Sequence, residues 1–419
     1  MILNQISSEK DASVARTAMN RKRHNALLLL YLLLLLRVHA LVIASESQTG
    51  NVLLLSDIHF DPLGDTSIVT QLLNNEVSQW PDILASAPSF QKGLYPPSGS
   101  DTNYYLLKSA LSAAISKEPF DFVLISGDYL RHRFAHAFNG AVGPQSDLSA
   151  FATRTAVFVV ETIQRAFSVP VYFALGNDDS PCGDYATDVQ GPFLGALADS
   201  LQVLRSHPET LATFRVGGFY ELAHPTLSDE EILVLNTILW SPLSFSCRSN
   251  APDAGQTEMQ WLEARLHDAR TSAKKVILVM HIPPGIDAFA SSQAGCGKPA
   301  TLFWRDIYLD EFRALMRNYG DLVKIGIAGH THMDEFRVLV NVDPSKTVAF
   351  RITPAISPIY KNNPAFSILK YNIKSGDILD IDTYYLDLAK SVQPQRWNNE
   401  YSFSNVYGYL AFNSENLVA

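Results

Sequence analysis

Six short apolar runs recur along the chain, and each is followed at once by polar residues. Runs bounded in this way are typical of strands buried in a sheet. Stretches with apolar residues at helical spacing separate them, for example from 104 to 117 and from 257 to 273. This alternation of strand and helix predicts an α/β fold. The predicted strands are Val52 to Leu55, Phe122 to Ile125, Val171 to Leu175, Ile232 to Leu235, Val276 to Met280 and Ile325 to Ala328.

The C-terminal part of the chain follows a different pattern. From Val348 to Leu388 only strand-like segments occur, and residues 374–377 (Lys-Ser-Gly-Asp) have the composition of a hairpin turn between two of them. We expect these segments to form a second sheet or a β extension.

The polar residues after the predicted strands are mostly histidine, aspartate and asparagine. In an α/β sheet, residues just past the carboxyl ends of the strands converge on one crevice. Two pairs, Asp57 with His59 and His330 with His332, have the i, i+2 spacing that places both side chains on one face of an extended segment. The sequence therefore predicts one cluster of metal ligands. Its predicted members are Asp57, His59, Asp128, Asn177, His281, His330 and His332.

The types of these ligands indicate which metal they bind. Imidazole mixed with carboxylate suits Zn, Fe or Mn better than Ca or Mg, which prefer oxygen ligands. Seven ligands exceed one tetrahedral site. They suit two ions about 3.5–4 Å apart that share one carboxylate, an arrangement that clamps the attacking and leaving oxygens of a phosphoryl displacement. We expect two divalent metal ions, with zinc the predicted metal and Asp128 the shared ligand.

Each of these motifs is common by itself. A Gly-Asp pair usually marks a turn, and a single histidine such as His281 is more often a hydrogen-bonded, half-buried residue than a ligand. Their joint appearance at strand ends, each beside Gly or Ser, favours a metal site over coincidence.

With these motifs the chain resembles the calcineurin-like metallophosphoesterases, and within them the acid sphingomyelinase-like branch. The resemblance rests on the segments SDIHFDP, GDYLRH, ALGNDD, MHIPPG and GHTHMDEF, and extends from about residue 51 to residue 409. It implies a four-layer αββα sandwich and two metal sites. One ion would bind Asp57, His59, Asp128 and His332, and the other Asp128, Asn177, His281 and His330.

The resemblance also implies catalytic residues. The family has a histidine four residues after the shared aspartate, near the scissile phosphate, and His132 holds that position. The family usually has a second histidine directly after the metal-binding asparagine, whereas this chain has Asp178. A carboxyl donates a proton only if its pKa is raised or the pH is low. Three alternatives follow: His132 is the donor alone, Asp178 acts as the acid, or the activity is weakened or specialised.

Charge and cysteine content exclude other classes. With 33 Lys and Arg against 42 Asp and Glu, the net charge is -9, so we expect no binding to nucleic-acid polymers.

Three cysteines exclude a disulfide-rich scaffold and cannot supply the cysteine-rich, lipid-presenting module of fuller members of the branch. One disulfide among Cys182, Cys247 and Cys296 is conceivable, and the sequence does not show which pair forms it.

The N-terminal residues have the pattern of an export signal. Basic residues 21–23 precede an apolar stretch from Ala26 to Leu36, and small residues around Ala40 and Ala44 suit a cleavage site. The stretch is short for a bilayer span, which favours a cleaved signal peptide. A membrane anchor is the alternative. We expect a signal peptide at 1–44 with an overlong start, a catalytic domain at 45–390, and a C-terminal segment at 391–419 that is shortened relative to the family.

The sequence therefore predicts a secreted or periplasmic phosphoesterase that hydrolyses phosphodiester bonds in a phosphate-ester substrate, without a stable membrane anchor. One alternative is a nucleotide or polyphosphate phosphohydrolase. The other is a metal-stabilised binding protein that has lost catalysis. The sequence does not determine the oligomeric state.

Overall fold

The computed structural model describes residues 49–144, 146–205, 207–389 and 396–418. The predicted signal peptide, residues 1–44, lies outside the described residues, as does the start of the predicted C-terminal segment. Within the described ranges, no helix combines the length and apolar character that a membrane crossing requires.

The strands of the described residues are short, and most are buried. In chain order they are β1 (Thr49–Leu55), β2 (Phe122–Ile125), β3 (Val171–Phe173), β4 (Ala186–Thr187), β5 (Tyr220–Ala223), β6 (Glu230–Val234), β7 (Phe245–Ser246), β8 (Lys275–Val279), β9 (Val323–Ala328), β10 (Glu335–Leu339), β11 (Val348–Ile352), β12 (Ala365–Asn372), β13 (Ile378–Leu386) and β14 (Trp397–Ser402).

Two six-stranded sheets contain most of these strands. The first has the order β14-β13-β12-β1-β2-β3, and the second has the order β10-β11-β9-β8-β6-β5. The pairs β1 with β2 and β2 with β3 are parallel, as are β6 with β8 and β8 with β9. Strands β4 and β7 form a separate two-stranded sheet. The parallel strands are neighbours in each large sheet, β1 to β3 in the first and β6, β8 and β9 in the second, so that their carboxyl ends share one edge.

Helices connect the strands and cover the sheets. In chain order the α-helices of the described residues are α1 (Val69–Asn74), α2 (Trp80–Ser86), α3 (Pro88–Gln91), α4 (Tyr104–Ile115), α5 (Phe134–Ala141), α6 (Leu148–Ala166), α7 (Pro192–Ser200), α8 (Pro208–Gly217), α9 (Ala254–Thr271), α10 (Ala288–Ala294), α11 (Asp306–Tyr319), α12 (Phe403–Tyr407) and α13 (Ser414–Val418).

Alternate residues of the second sheet enter two different cores. In β8, Ile277 and Val279 pack in the core that also contains the first sheet, α4 and α6, whereas Val276 and Leu278 pack in a second core with α9 and α11. This alternation follows from the two-residue period of a strand. The result is helix, sheet, sheet and helix in layers, which confirms the predicted αββα sandwich.

All six predicted strands are present, with ends that differ by up to three residues. The predicted β extension is confirmed, but it divides between the sheets. Strand β11 joins the second sheet, whereas β12 and β13 join the first sheet beside β1, and β14, which lies beyond the predicted range, follows β13 there. The predicted turn at 374–377 connects β12 to β13, which pair antiparallel.

One disulfide joins Cys182 to Cys247, and Cys296 is a free, exposed thiol. The disulfide connects the loop after β3 to the end of β7, which the sequence alone could not assign.

Candidate metal centre

All seven predicted metal ligands follow the carboxyl ends of parallel strands. Asp57 and His59 follow β1, Asp128 follows β2, and Asn177 follows β3. On the second sheet, His281 follows β8, and His330 and His332 follow β9. The two sheets therefore contribute to one site from facing edges, and the structure brings all seven side chains together.

The loops that carry these residues have an unusual backbone. Non-glycine residues rarely adopt a positive φ, and such conformations cluster at functional sites, where the surrounding structure holds them. Five of the seven predicted ligands have one: φ is 48° at Asp57, 43° at His59, 60° at Asp128, 75° at His330 and 61° at His332.

Two glycines allow the loops to meet. A Cβ atom at Gly176 would lie 2.0 Å from Oδ1 of Asp128, and one at Gly329 would lie 2.0 Å from Oγ of Ser56. Any side chain at these two positions would push the ligand loops apart. This explains why Gly precedes Asn177 and His330 in the motifs.

Four of the predicted ligands form a first cluster: Asp57, His59, Asp128 and His332. Nε2 of His59 lies 3.2 Å from Nε2 of His332 and 3.3 Å from Oδ2 of Asp128. Nε2 of His332 lies 3.4 Å from Oδ1 of Asp57.

The second cluster consists of Asp128, Asn177, His281 and His330. Nε2 of His281 lies 3.1 Å from Oδ2 of Asp128 and 3.0 Å from Oδ1 of Asn177. Nδ1 of His330 lies 2.8 Å from the same Asn177 oxygen. Oδ2 of Asp128 thus belongs to both clusters, while its Oδ1 accepts a hydrogen bond from the backbone N–H of Asp178.

These separations fit a coordinated ion. Ligand atoms that are each about 2.1 Å from one cation, at angles of 90–110°, lie roughly 3.0–3.4 Å from one another. Six of the separations between donor atoms within the two clusters are 2.8 to 3.4 Å, and Nε2 of His59 lies 3.9 Å from Oδ1 of Asp57. The residues present therefore fit a pair of cations that share Asp128.

Backbone carbonyls orient two of the imidazoles. Nδ1 of His59 lies 2.9 Å from the carbonyl oxygen of Leu130, and Nδ1 of His281 lies 2.6 Å from that of Ser126. With Nδ1 directed outward to a carbonyl, Nε2 is the atom that each ring turns toward the cluster. Such outer partners commonly fix metal-binding histidines.

The electrostatics of the site favour positive charge on both sides of Asp128. Burial would raise the pKa of Asp128, but the charges of His281 and His59 hold it well below its usual range. Burial opposes the charged imidazoles, yet Asp128 raises the pKa of His59 to about 10 and that of His281 to about 9. Burial and the charge on His281 lower the pKa of His330 to about 3.

Both predicted catalytic residues lie beside the first cluster. The His132 ring stacks on the His59 ring, with 3.8 Å between the centroids. Oδ2 of Asp178 lies 3.9 Å from Nδ1 of His59 and 4.0 Å from Nε2 of His132. Asp178 is buried, and its burial and the charge of Asp128 raise its pKa well above the usual range.

Two acidic side chains near the site were not predicted. The Asp179 carboxylate accepts hydrogen bonds from the backbone N–H groups of Asp128, Tyr129, Leu130 and Gly176. Asp101 binds Nδ1 of His132 through Oδ1, at 2.8 Å. The second acid of ALGNDD was a visible signal for Asp179. Asp101 lies in a Gly-Ser-Asp turn far from any strand end, and no local pattern marks it.

The layered fold and the Asp, His and Asn side chains at the strand ends define a metal-dependent phosphoric ester hydrolase, with a candidate dimetal site. The match of the calcineurin-like phosphoesterase family to residues 50–334 covers more than half of the chain. The chain belongs to this family.

Three relatives illustrate what the chain is similar to. The human cyclic GMP-AMP phosphodiesterase is 26% identical over 71% of this chain and 67% of its own length. The sphingomyelinase phosphodiesterase D of Dictyostelium discoideum is 25% identical over 90% of this chain and 84% of its own length. The human sphingomyelin phosphodiesterase is 30% identical over 72% of this chain and 46% of its own length.

Proposed function

We propose that the chain hydrolyses organic phosphodiesters at a centre of two divalent cations, with zinc the preferred metal. The observation that carries this proposal is the position of Asp128, whose Oδ2 lies 3.3 Å from Nε2 of His59 and 3.1 Å from Nε2 of His281. One carboxylate oxygen shared by two sets of ligands is the arrangement that two-metal hydrolases require. The four histidines favour zinc over Ca or Mg.

In this proposal the ligands divide between the two ions as the family resemblance implies. Asp57, His59 and His332 would hold one ion, Asn177, His281 and His330 the other, and Asp128 both. When bound, two divalent cations supply Lewis-acid chemistry for the attack of water on phosphorus.

The side chains beside the clusters suit the departure of the alcohol. As the bond from phosphorus to the leaving oxygen breaks, that oxygen needs a proton. His132 directs Nε2 toward the site, since Asp101 holds its Nδ1 at 2.8 Å. In this proposal His132 donates the proton, and Asp178, 4.0 Å from Nε2 of His132, assists it.

A diester is favoured as the substrate class because the printed names of the relatives describe phosphodiesterases. The relatives differ in the molecule that they cleave, a cyclic dinucleotide in one case and a sphingomyelin in the other. We assign to this chain only what these share, a phosphodiester with an organic leaving group.

Export is part of the proposal. The pattern of residues 1–44 supports it, and so does the disulfide between Cys182 and Cys247, because disulfides persist mainly in oxidising compartments.

One experiment tests the proposal. The purified protein is assayed with bis(nitrophenyl) phosphate, nitrophenyl phosphate, a cyclic dinucleotide, sphingomyelin and inorganic polyphosphate, before and after removal of metal by a chelator and its restoration with zinc. We expect hydrolysis of at least one diester that the chelator abolishes and zinc restores. Preferential cleavage of polyphosphate would support the phosphohydrolase alternative, and metal binding without turnover would support the binding-protein alternative.

A further inference from the structure

The loop from Asn177 to Tyr185 closes on itself beside the second cluster. The backbone N–H of Tyr185 donates to the carbonyl of Asn177 at 2.8 Å, and the disulfide from Cys182 ties the loop to β7. Tyr185 has a φ of 57°, which is unusual for a side chain of its size. The loop therefore holds residue 185 close to residue 177 in a backbone conformation that needs support from its surroundings.

Asp184 is the nearer of two carboxylates that orient the Asn177 amide, since Oδ2 of Asp178 accepts from the same Nδ2 only at 3.4 Å. Nδ2 of Asn177 donates to Oδ1 of Asp184 at 2.8 Å. With its nitrogen held there, the amide presents Oδ1 to His281 and His330, at 3.0 and 2.8 Å. Rotation by 180° would instead present the NH2 group, which is a hydrogen-bond donor and not a metal ligand.

Tyr185 contacts His330 on the side away from the cluster. The hydroxyl of Tyr185 lies 3.3 Å from Nε2 of His330, while Nδ1 of His330 faces Asn177. A ring whose Nε2–H donates to the tyrosine oxygen keeps the Nδ1 lone pair for the cluster. The Tyr185 hydroxyl thus orients the His330 ring in the same way that the backbone carbonyl of Ser126 orients the His281 ring.

We infer that Asp184 and Tyr185 are positioning residues of the second cluster, which hold Asn177 and His330 with their ligand atoms facing the cation. The inference rests on the proposed two-metal function. Outer partners of metal ligands typically contribute 10–100-fold to metal affinity or activity.

Metal content tests the inference directly. Elemental analysis of the full chain after dialysis against zinc should find about two ions in the wild type and about one in Asp184→Ala. Asp184→Asn should keep about two, because its side-chain oxygen accepts the same hydrogen bond. Tyr185→Phe should need about 10–100-fold more free zinc to fill the second site. Asp310→Ala removes an exposed aspartate and is the matched control, expected to match the wild type.

The outcomes separate the inference from the proposed function. About one ion or fewer in the wild type would overturn the two-metal function itself. Two ions in the wild type with equal affinity in Asp184→Ala and Tyr185→Phe would overturn the inference alone. Equal loss in Asp184→Asn and Asp184→Ala would also overturn it, because the charge of Asp184 would then matter and not its hydrogen bond. The control for folding is the thermal midpoint of Asp184→Asn, which we expect to equal that of the wild type.

Discussion

Oδ2 of Asp178 lies 4.0 Å from Nε2 of His132, so the two residues predicted to act on the leaving group are neighbours beside the first cluster. The hydroxyl of Tyr360 approaches the same nitrogen to 3.5 Å, and its ring lies edge-on to His332. The His132 ring therefore contacts the Asp101 carboxylate through Nδ1, and the Asp178 carboxyl and the Tyr360 hydroxyl lie near its Nε2.

The shared carboxylate should control both metals. Asp128→Asn removes the charge that faces both clusters, so we expect loss of nearly all bound metal and loss of activity. His332→Ala removes a ligand of one cluster and should lower the content by about one ion per chain. Elemental analysis checks both variants. Equal metal content in Asp128→Asn and His332→Ala would contradict a shared role for Asp128.

His132 should matter most for substrates that need a proton. His132→Ala should slow a diester with an alkyl leaving group by about 10²–10⁴-fold, and an activated nitrophenyl diester far less, because nitrophenolate leaves without a proton. Values of kcat/KM for both substrates check this. His136→Ala removes an exposed histidine of α5 and is the control. Equal losses on both esters would leave His132 a binding role only.

Asp178 should act together with His132. If both assist the same leaving oxygen, the double variant His132→Ala, Asp178→Asn loses little more than His132→Ala alone, because residues that act as a unit are not additive. The alkyl diester is the diagnostic substrate. If the fold-losses in kcat/KM of the two single variants multiply in the double variant, Asp178 acts independently of His132. An Asp178→Asn variant with the kcat/KM of the wild type would exclude Asp178 from the chemistry.

Stability should fall as the pH rises, because of Glu258. This side chain is fully buried, its Oε2 has no hydrogen-bond partner, and burial raises its pKa well above the ordinary 4.5. A raised pKa in the folded state means that the folded protein binds more protons than the unfolded one. The stability that protonated Glu258 contributes is therefore fully present below the ordinary pKa of 4.5. It is lost as the pH rises through the raised pKa of the folded state.

Glu258→Gln should remove this dependence. We expect the variant to be more stable than the wild type at pH 8 by about 1–3 kcal/mol and to differ less at pH 5. Urea unfolding at the two pH values measures the difference. Glu263→Gln changes an exposed residue of the same helix and should show no such effect. A constant difference at both pH values would refute the assignment to Glu258.

The disulfide should stabilise the fold. Cys182 and Cys247 are separated by 65 residues, and a cross-link of this length typically contributes about 2–4 kcal/mol. Cys182→Ser should therefore lower the free energy of unfolding by about that amount. Cys296→Ser changes the free thiol and should leave it unchanged. Denaturant titration of both variants checks the expectation, and equal stability of all three proteins would contradict it.

The sequence by itself determined the class of fold and which side chains gather at the strand ends. Strands such as β2 and β8 were predictable because burial on both faces requires an apolar run. The proximity of Asp57 and His281 was predictable because the carboxyl ends of parallel strands meet at one edge.

Only the tertiary structure decided how those residues are supported. The pairing of Asp101 with His132, the hydrogen bond from Asn177 to Asp184 and the disulfide of Cys182 depend on the paths of irregular loops. Likewise, β12 lies beside β1 although more than 300 residues separate them in the chain. Local sequence patterns indicate which side chains are buried, through the spacing at which apolar residues recur. They do not record which distant segment a loop with positive φ will reach, because that depends on the packing of the whole fold.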